Sequence, residues 1–377
     1  MDLRHRGGSR LRYDRENHDG VGWLVGVATG APLAVRNLSS SPWSGLDRVS
    51  QKGAGWRMKI GVFTVLFAQR PFEEALDYIK AAGCQAVEIG VGGYPGPAHA
   101  NAVELVDDEA ASTRLREAVT SRGLEISALS CHGNPLHPKQ AIAQRDDHDF
   151  RDAVRLAQLL GVSVVNTFSG CPGGGPEAME PNWVTCPWPP DFLETLEWQW
   201  NERATPYWSE AAQYAKDRGV RVAIELHPGF LGYNTDSFNR LRDIGGETLG
   251  VNFDPSHLFW QGMDPLACVR DLGDAIFHVH AKDTWLDKQN IALNGVLDTK
   301  PYTDEIHRSW IFRTVGYGHG QEFWRHLVSE LRLAGYDGVI SIEHEDSLMS
   351  VNEGFNSAVQ FLKDVVIQEP ATQAWWA

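Results

Sequence analysis

Four short apolar runs in the second half of this 377-residue chain each stop on a side chain able to grip a cation. Residues 222–224 run into Glu225, inside the stretch RVAIELHPG at 221–229. Residues 249–253 run into Asp254-Pro-Ser-His257, 275–279 into His280-Ala-Lys-Asp283, and 338–342 into Glu343-His-Glu-Asp346. Carboxylate oxygens and imidazole nitrogens are ligands that a divalent metal takes. A carboxylate at the end of a buried strand is costly without a partner. Any one of them alone reads equally well as a helix cap; four in corresponding places point to one shared cation.

The elements that must position them alternate. Strand-like runs at 59–63, 86–89, 125–129 and 163–168 precede these four. Between them lie helical patterns at 71–82, 108–122, 146–160, 206–218, 235–243, 264–272, 321–334 and 352–366, many stopped by a glycine. Eight strand–helix units imply a parallel sheet, and eight close into a (βα)8 TIM barrel. Two long βα-loop insertions interrupt it, at 169–205 and 284–320. An open doubly wound sheet would need a glycine-rich phosphate turn after the first strand, and Thr64-Val-Leu-Phe-Ala68 offers none. In a barrel the active site lies at the C-terminal ends of the strands, where the four candidate ligands sit.

Composition narrows the class. The apolar fraction of 42% and charged fraction of 22% are those of a globular protein. A formal charge of -15 argues against a nucleic-acid surface. No apolar run reaches the ~18 residues of a membrane span. Five scattered cysteines without CxxC spacing suggest free thiols and a cytoplasmic location. Residues 1–57 are rich in Arg, Gly and Ser with poor periodicity, so they read as a disordered N-terminal extension, with Met58 a candidate initiator. The barrel is then expected over 58–366, with 367–377 a C-terminal tail.

The strand-end series IELHP, NFDPSH, HVHAKD and SIEHED, with SCHGNPLHP after the third strand, resembles the xylose-isomerase-like superfamily of TIM barrels. Within it the chain looks most like the sugar phosphate isomerase/epimerase family, over roughly residues 58–366. The resemblance implies one divalent metal ion, Mn²⁺ first and Mg²⁺ or Co²⁺ as alternatives, held by Glu225, Asp254, His280 and Glu343. It also implies that His257 points into the substrate site. Family epimerases often carry a substrate-binding Arg shortly after the seventh-strand His; here the stretch reads Lys282-Asp283-Thr284-Trp285-Leu286.

The chemistry expected is removal of a proton from carbon beside a carbonyl, with the metal stabilising the enediolate. Glu225 and Glu343 are expected to exchange that proton, one on each face of the substrate, with pKa values near working pH. Other side chains carry two readings each. His132 binds a sugar hydroxyl or acts as a base, or is a loop histidine bonded to backbone. His227, two residues after Glu225, shares its side of the pleat and reaches substrate. His278 reads as core or as support. Lys282 neutralises a developing oxyanion or pairs with Asp283. Glu88 binds a hydroxyl or closes the barrel. Trp183, Trp188, Trp198 and Trp200 in the first insertion, with Trp188 foremost, stack on a sugar face or pack the insertion down. Gly173-Gly174-Gly175 lacks the following Lys of a phosphate loop. Gly316-Tyr-Gly-His-Gly320 reads as a flexible turn.

A keto-sugar or inosose isomerase or epimerase is the function expected, with a small-molecule substrate, no nucleic acid or membrane partner, and a homo-oligomer or partner subunit open. The first alternative is a metal-dependent lyase that eliminates a group β to a carbonyl. The C-glycoside-deglycosidase subunits resemble this superfamily and act so on 3-keto glycosides. An apurinic endonuclease shares the barrel but needs more His and Asp ligands, and no Asp-x-His follows His280. A barrel without catalysis is the remaining class.

Overall fold

The computed structural model of the protein describes residues 57–370 and 376. The expected disorder of 1–57 falls outside them save for Arg57, as does most of 371–377. The barrel strands are β1 (Lys59–Phe63), β2 (Ala86–Gly90), β3 (Glu125–Ser130), β4 (Val164–Phe168), β5 (Arg221–Glu225), β6 (Leu249–Phe253) and β7 (Ile276–Ala281). An antiparallel pair, β8 (Asp283–Leu286) and β9 (Trp310–Arg313), then precedes the last barrel strand, β10 (Val339–Ile342). The eight close in the order β1-β10-β7-β6-β5-β4-β3-β2, all parallel, with β1 bonded to both β10 and β2. This is the (βα)8 barrel expected from the alternating pattern.

Alternation along each strand sorts the side chains. Val87 and Ile89, Val222 and Ile224, Val251 and Phe253 face outward, in one core with Leu76 and Ile79 of the helix Phe72–Ala82 and Leu327 and Leu331 of the helix Gln321–Leu333. The residues between them face the lumen. At its N-terminal end Ala128, Val164 and Ala223 pack with Phe277 as a small apolar plug. Gly250 leaves room for that ring: a Cβ there would stand 2.3 Å from Phe277.

Above the plug the lumen is polar, where barrels of this kind are ordinarily filled by branched apolar residues. Glu88, Ser130, Asn166, Asn252, His278 and Ser341 are all buried there. The pairing register shifts at Val87/Glu88 and at Val251/Asn252, beside two of these polar residues. Such irregularities re-aim side chains.

Three local expectations need correction. The third helix spans Gln140–Leu160, not 146–160. Asp146 is no helix start: its buried carboxylate accepts the N–H of Asn134 at 2.7 Å, tying the helix to the loop after β3. The helix placed at 206–218 joins an earlier one, Asp191–Trp198, through a π-helical stretch, Gln199–Ala204. Gln199 is buried there because its amide donates to the carbonyls of Gly173 and Asn182.

The third concerns the turn at 316–320, read as flexible. Asp283 Oδ2 accepts the N–H groups of Gly316, Gly318 and His319 at 2.8–3.1 Å, and His319 Nδ1 lies 2.8 Å from Oδ1. A Cβ on Gly318 would stand 2.3 Å from the carbonyl oxygen of Thr284, so only glycine fits. Asp283 thus fastens the second insertion to the barrel. Removing it strands several N–H groups, at about 1–3 kcal/mol for each left unpaired. Asp283→Ala should therefore lower the urea-unfolding free energy by about 2 kcal/mol or more. Asp283→Asn, which keeps an acceptor, should cost less. An unchanged midpoint for the alanine variant would refute this role.

Candidate metal centre and substrate cavity

β5, β6, β7 and β10 are consecutive around the closed sheet, so their C-terminal ends converge. Glu225, Asp254, His280 and Glu343 each bring one ligand atom within 4.8 Å of the others, three of them buried and Glu343 nearly so. Asp254 shows how cap and ligand readings coexist. Its Oδ1 accepts the Ser256 N–H at 2.9 Å, capping the helix Pro255–Trp260. Its Oδ2 is buried and accepts no hydrogen bond of good geometry, and the same holds for Glu343 Oε2. Three carboxylates and one imidazole, with two buried oxygens that meet only charged partners and histidine, suit a hard divalent cation such as Mn²⁺ or Mg²⁺.

His280 is held from beneath. Its Nε2 lies 3.0 Å from both oxygens of Glu88, and its Nδ1 lies 3.0 Å from Glu343 Oε2. With Nε2–H donated to Glu88, Nδ1 is the nitrogen that faces the cluster. Glu88 also accepts from Ser130, Asn166 and Ser341. It is wholly buried below His280, out of a substrate's reach, so the hydroxyl-binding reading is replaced by support of His280. His278 bridges the same network, 3.0 Å from Asn252 Oδ1 and 3.2 Å from Ser127. Burial drives its pKa down to about 4, so it is a neutral imidazole at pH 7.

Around Glu225 the contacts are as dense. Oε2 lies 3.1 Å from His132 Nε2 and accepts from Asn252 Nδ2 at 2.9 Å. Oε1 lies 3.4 Å from His257 Nε2, which is also 3.2 Å from Asp254 Oδ2. His132 and His257 therefore both face the cluster. His227 stacks obliquely on His257, ring centroids 4.0 Å apart, and on Phe168 at 5.0 Å. Burial and the neighbouring His257 push its pKa down to about 3.

Of the two readings of Lys282, the pairing with Asp283 does not hold. Its ammonium lies 3.1 Å from Asp254, 2.8 Å from Glu343 and 3.0 Å from Glu345, and not on Asp283, whose carboxylate is taken by the turn. Burial alone would lower the Lys282 pKa, yet these carboxylates hold it well above the usual range. Glu225 and Glu343 also depart from the expected near-neutral values. Burial raises a carboxyl pKa, but at Glu225 His132, His257 and His280 together outweigh it and hold the group well below the ordinary range. Lys282 and His280 do the same at Glu343, to about 2. Asp254 moves the other way, to about 6: burial raises it, Lys282 offsets part, and Glu343 and Glu225 add repulsion.

Above the cluster lies a cavity of about 520 Å³, lined by Tyr94, Phe168, His227, Tyr302, Ile311, Phe312, Glu345 and Ser347. None of the four first-insertion tryptophans lines it. Trp188 is 73% exposed, and Trp183 and Trp200 instead line a small crevice with Tyr233, so that insertion packs over the loop after β5. The walls come from the second insertion, the end of β4 and the loops after β2, β5 and β10. Asn252, Glu345, Tyr302 and Phe312 escaped the sequence reading. A polar residue at a lumen position of an apolar strand was the available signal for Asn252, and Glu345 stands inside SIEHED. For the aromatic walls, pattern gave none.

A family model described as xylose isomerase-like TIM barrel matches residues 76–365. The uncharacterized protein YfiH of Bacillus subtilis is 37% identical over 315 residues, covering 82% of this chain and all of that protein. An inosose dehydratase of Clostridium perfringens is 23% identical over 228 residues, 58% of this chain and 66% of that enzyme. Among solved structures, a D-tagatose 3-epimerase-like protein superposes with a TM-score of 0.54 at 22% identity, over 82% of this chain and 98% of its own. The 3-keto-D-glucoside 4-epimerase YcjR of E. coli does so with a TM-score of 0.56 at 14% identity, over 82% and 100%. No helix among the described residues is long and apolar enough to cross a membrane. The chain belongs to the xylose isomerase-like TIM barrel family.

Proposed function

We propose that the protein is a divalent-metal-dependent enzyme that moves a proton at carbon beside the carbonyl of a keto-sugar or inosose, with isomerisation or epimerisation as the outcome. One observation carries this reading: the convergence of Glu225, Asp254, His280 and Glu343 at the mouth of the barrel, beneath a cavity of small-molecule size. A cation there supplies Lewis acidity to a substrate oxygen, so that the enediolate left by proton removal is less costly.

The chain's own groups do the rest. Glu225 and Glu343 stand on β5 and β10, three strands apart around the mouth. Both are ionised at pH 7, as proton acceptors must be, and each has a second oxygen beyond the one it gives the cluster. His132 and Asn252 hold Glu225 in place, and Lys282 and His280 hold Glu343. Lys282 faces the ligands as a fixed positive charge that favours an oxyanion. His257 and His227 close one side and exclude water.

A lyase outcome is the second reading. It is supported by the likeness to an inosose dehydratase and needs no other residues: after proton removal, loss of a β substituent competes with return of the proton. Incubation with keto-sugars and inososes in deuterated water separates the two. An epimerase should place deuterium on carbon and return an isomer; a lyase should give a dehydrated or deglycosylated product. No deuterium on carbon and no new product with any of these compounds would overturn the proposal.

Glu225→Gln and Glu343→Gln should each cut turnover at least ~10³-fold while leaving circular dichroism unchanged. Near-normal rates in both variants would remove these residues from proton transfer. Glu88→Gln should weaken Mn²⁺ binding by about 10–100-fold in calorimetry, because partners of a ligating histidine typically count that much. Unchanged affinity would mean that Glu88 only fills the lumen.

A further inference from the structure

The cavity walls bear on which sugar is meant. Phe168, on β4, is stacked against Phe230 with ring centroids 4.3 Å apart. Tyr302 and Phe312, in the insertion after β7, lie nearly parallel at 5.8 Å. β4 and β7 are three strands apart in the closed sheet, so these rings flank the cavity from well-separated parts of the barrel mouth. Ile311 and Tyr94 continue the lining. Phe312 also lies 4.7 Å from Lys282 Nζ and 5.3 Å from the His257 ring, so this wall of the chamber stands beside the groups that touch the ligand cluster.

The same walls lack what a phosphate would need. Among the described residues no Lys or Arg lines the cavity, and Lys282 beside it is already held by the lining carboxylate of Glu345 at 3.0 Å and by Asp254 and Glu343. The nearby guanidinium groups are committed elsewhere: Arg308 donates to the carbonyls of Trp310 and Lys300, and Arg313 to Asp346 at 3.0 Å. At about 520 Å³ the space exceeds what one pyranose ring fills. A bare hydrophilic sugar would leave Tyr302, Phe312 and Phe168 against water.

We infer that the substrate is an unphosphorylated keto-sugar carrying a flat apolar substituent, an aryl glycoside in its simplest form, with the sugar over the ligand cluster and the aryl group between the aromatic walls. This rests on the function proposed above and adds the substrate class. Sliding an aromatic ring between apolar walls should raise affinity about tenfold or more over a methyl group.

The test is calorimetric titration of the full chain, loaded with Mn²⁺, with phenyl β-D-glucoside, methyl β-D-glucoside and glucose 6-phosphate. None of the three carries the ketone, so binding is read without turnover. Phenyl glucoside should bind at least about tenfold tighter than methyl glucoside, and glucose 6-phosphate weakest. Tyr302→Ala should cut the phenyl-to-methyl ratio at least about threefold, with Mn²⁺ affinity unchanged as the check that the site is folded. Equal affinities for phenyl and methyl glucoside, no measurable binding of phenyl glucoside, tightest binding of the phosphate, or a ratio indifferent to Tyr302→Ala would each overturn the inference. Deuterium exchange on free keto-sugars is independent of these results. Exchange without aryl preference would leave the proposed function standing and remove only the substrate class.

Discussion

Buried like charges set the terms for this molecule. Glu225, Asp254 and Glu343 crowd one end of a barrel, with Glu88 just beneath them, all away from water. Carboxylates so placed repel one another strongly in a low-dielectric site and persist only where cations and hydrogen-bond donors answer them. Lys282 and His280 answer with charge. His132, Asn252, Ser130, Asn166 and Ser341 answer with donors. The polar lumen follows from that demand. A barrel filled with valine and isoleucine could not hold Glu88, and without Glu88 the ring of His280 would lose the partner that fixes its tautomer.

The strands and the loops divide the work. Every member of the ligand cluster lies on, or within two residues of, a strand end, where backbone pairing to both neighbours fixes its position. The cavity walls lie largely on connections: Tyr302 and Phe312 in the second insertion, Tyr94 after β2, His227 after β5. The insertion is itself fastened by a carboxylate, Asp283, which gathers the backbone of 316–319. Rigid scaffold and variable rim are thus separate parts, as expected of barrels that support many chemistries.

That division also explains what could be read from the chain. Strand-end chemistry is local: IELHP, NFDPSH, HVHAKD and SIEHED each show an apolar run meeting a ligand, and the count of alternating units gives the barrel. Helix boundaries were legible wherever glycine stops them, as at Gly83 and Gly161, whose φ values of 100° and 72° require it. Reading failed where a polar side chain serves a distant backbone. Asp146 reads as a helix start and is a loop anchor, Asp283 is one of two readings for Lys282 and serves as a turn clamp, and Glu88, read as binding a hydroxyl or closing the barrel, supports His280 from inside the lumen. These roles are tertiary, and no spacing within one segment announces them. The tryptophans are ambiguous for a different reason. Aromatic residues serve a packed insertion as well as a sugar face, and only placement distinguishes the two.

The charges finally bear on which reaction outcome the site favours. A group shed β to a carbonyl leaves more readily when something protonates it or lines its exit. In this site Glu225 and Glu343 are held ionised, His227 and His278 are held neutral, and Asp254, at about 6, is the carboxyl closest to giving a proton. Asp254 is also one of the four clustered ligands, and a cation on its oxygen displaces any proton there. With a cation in the cluster, the free oxygens of Glu225 and Glu343 and the His132 and His257 rings beside Glu225 would be the groups left to carry a proton. For the function proposed above, these charges support reversible exchange at carbon, and the elimination reading depends on how well the substrate's own leaving group departs.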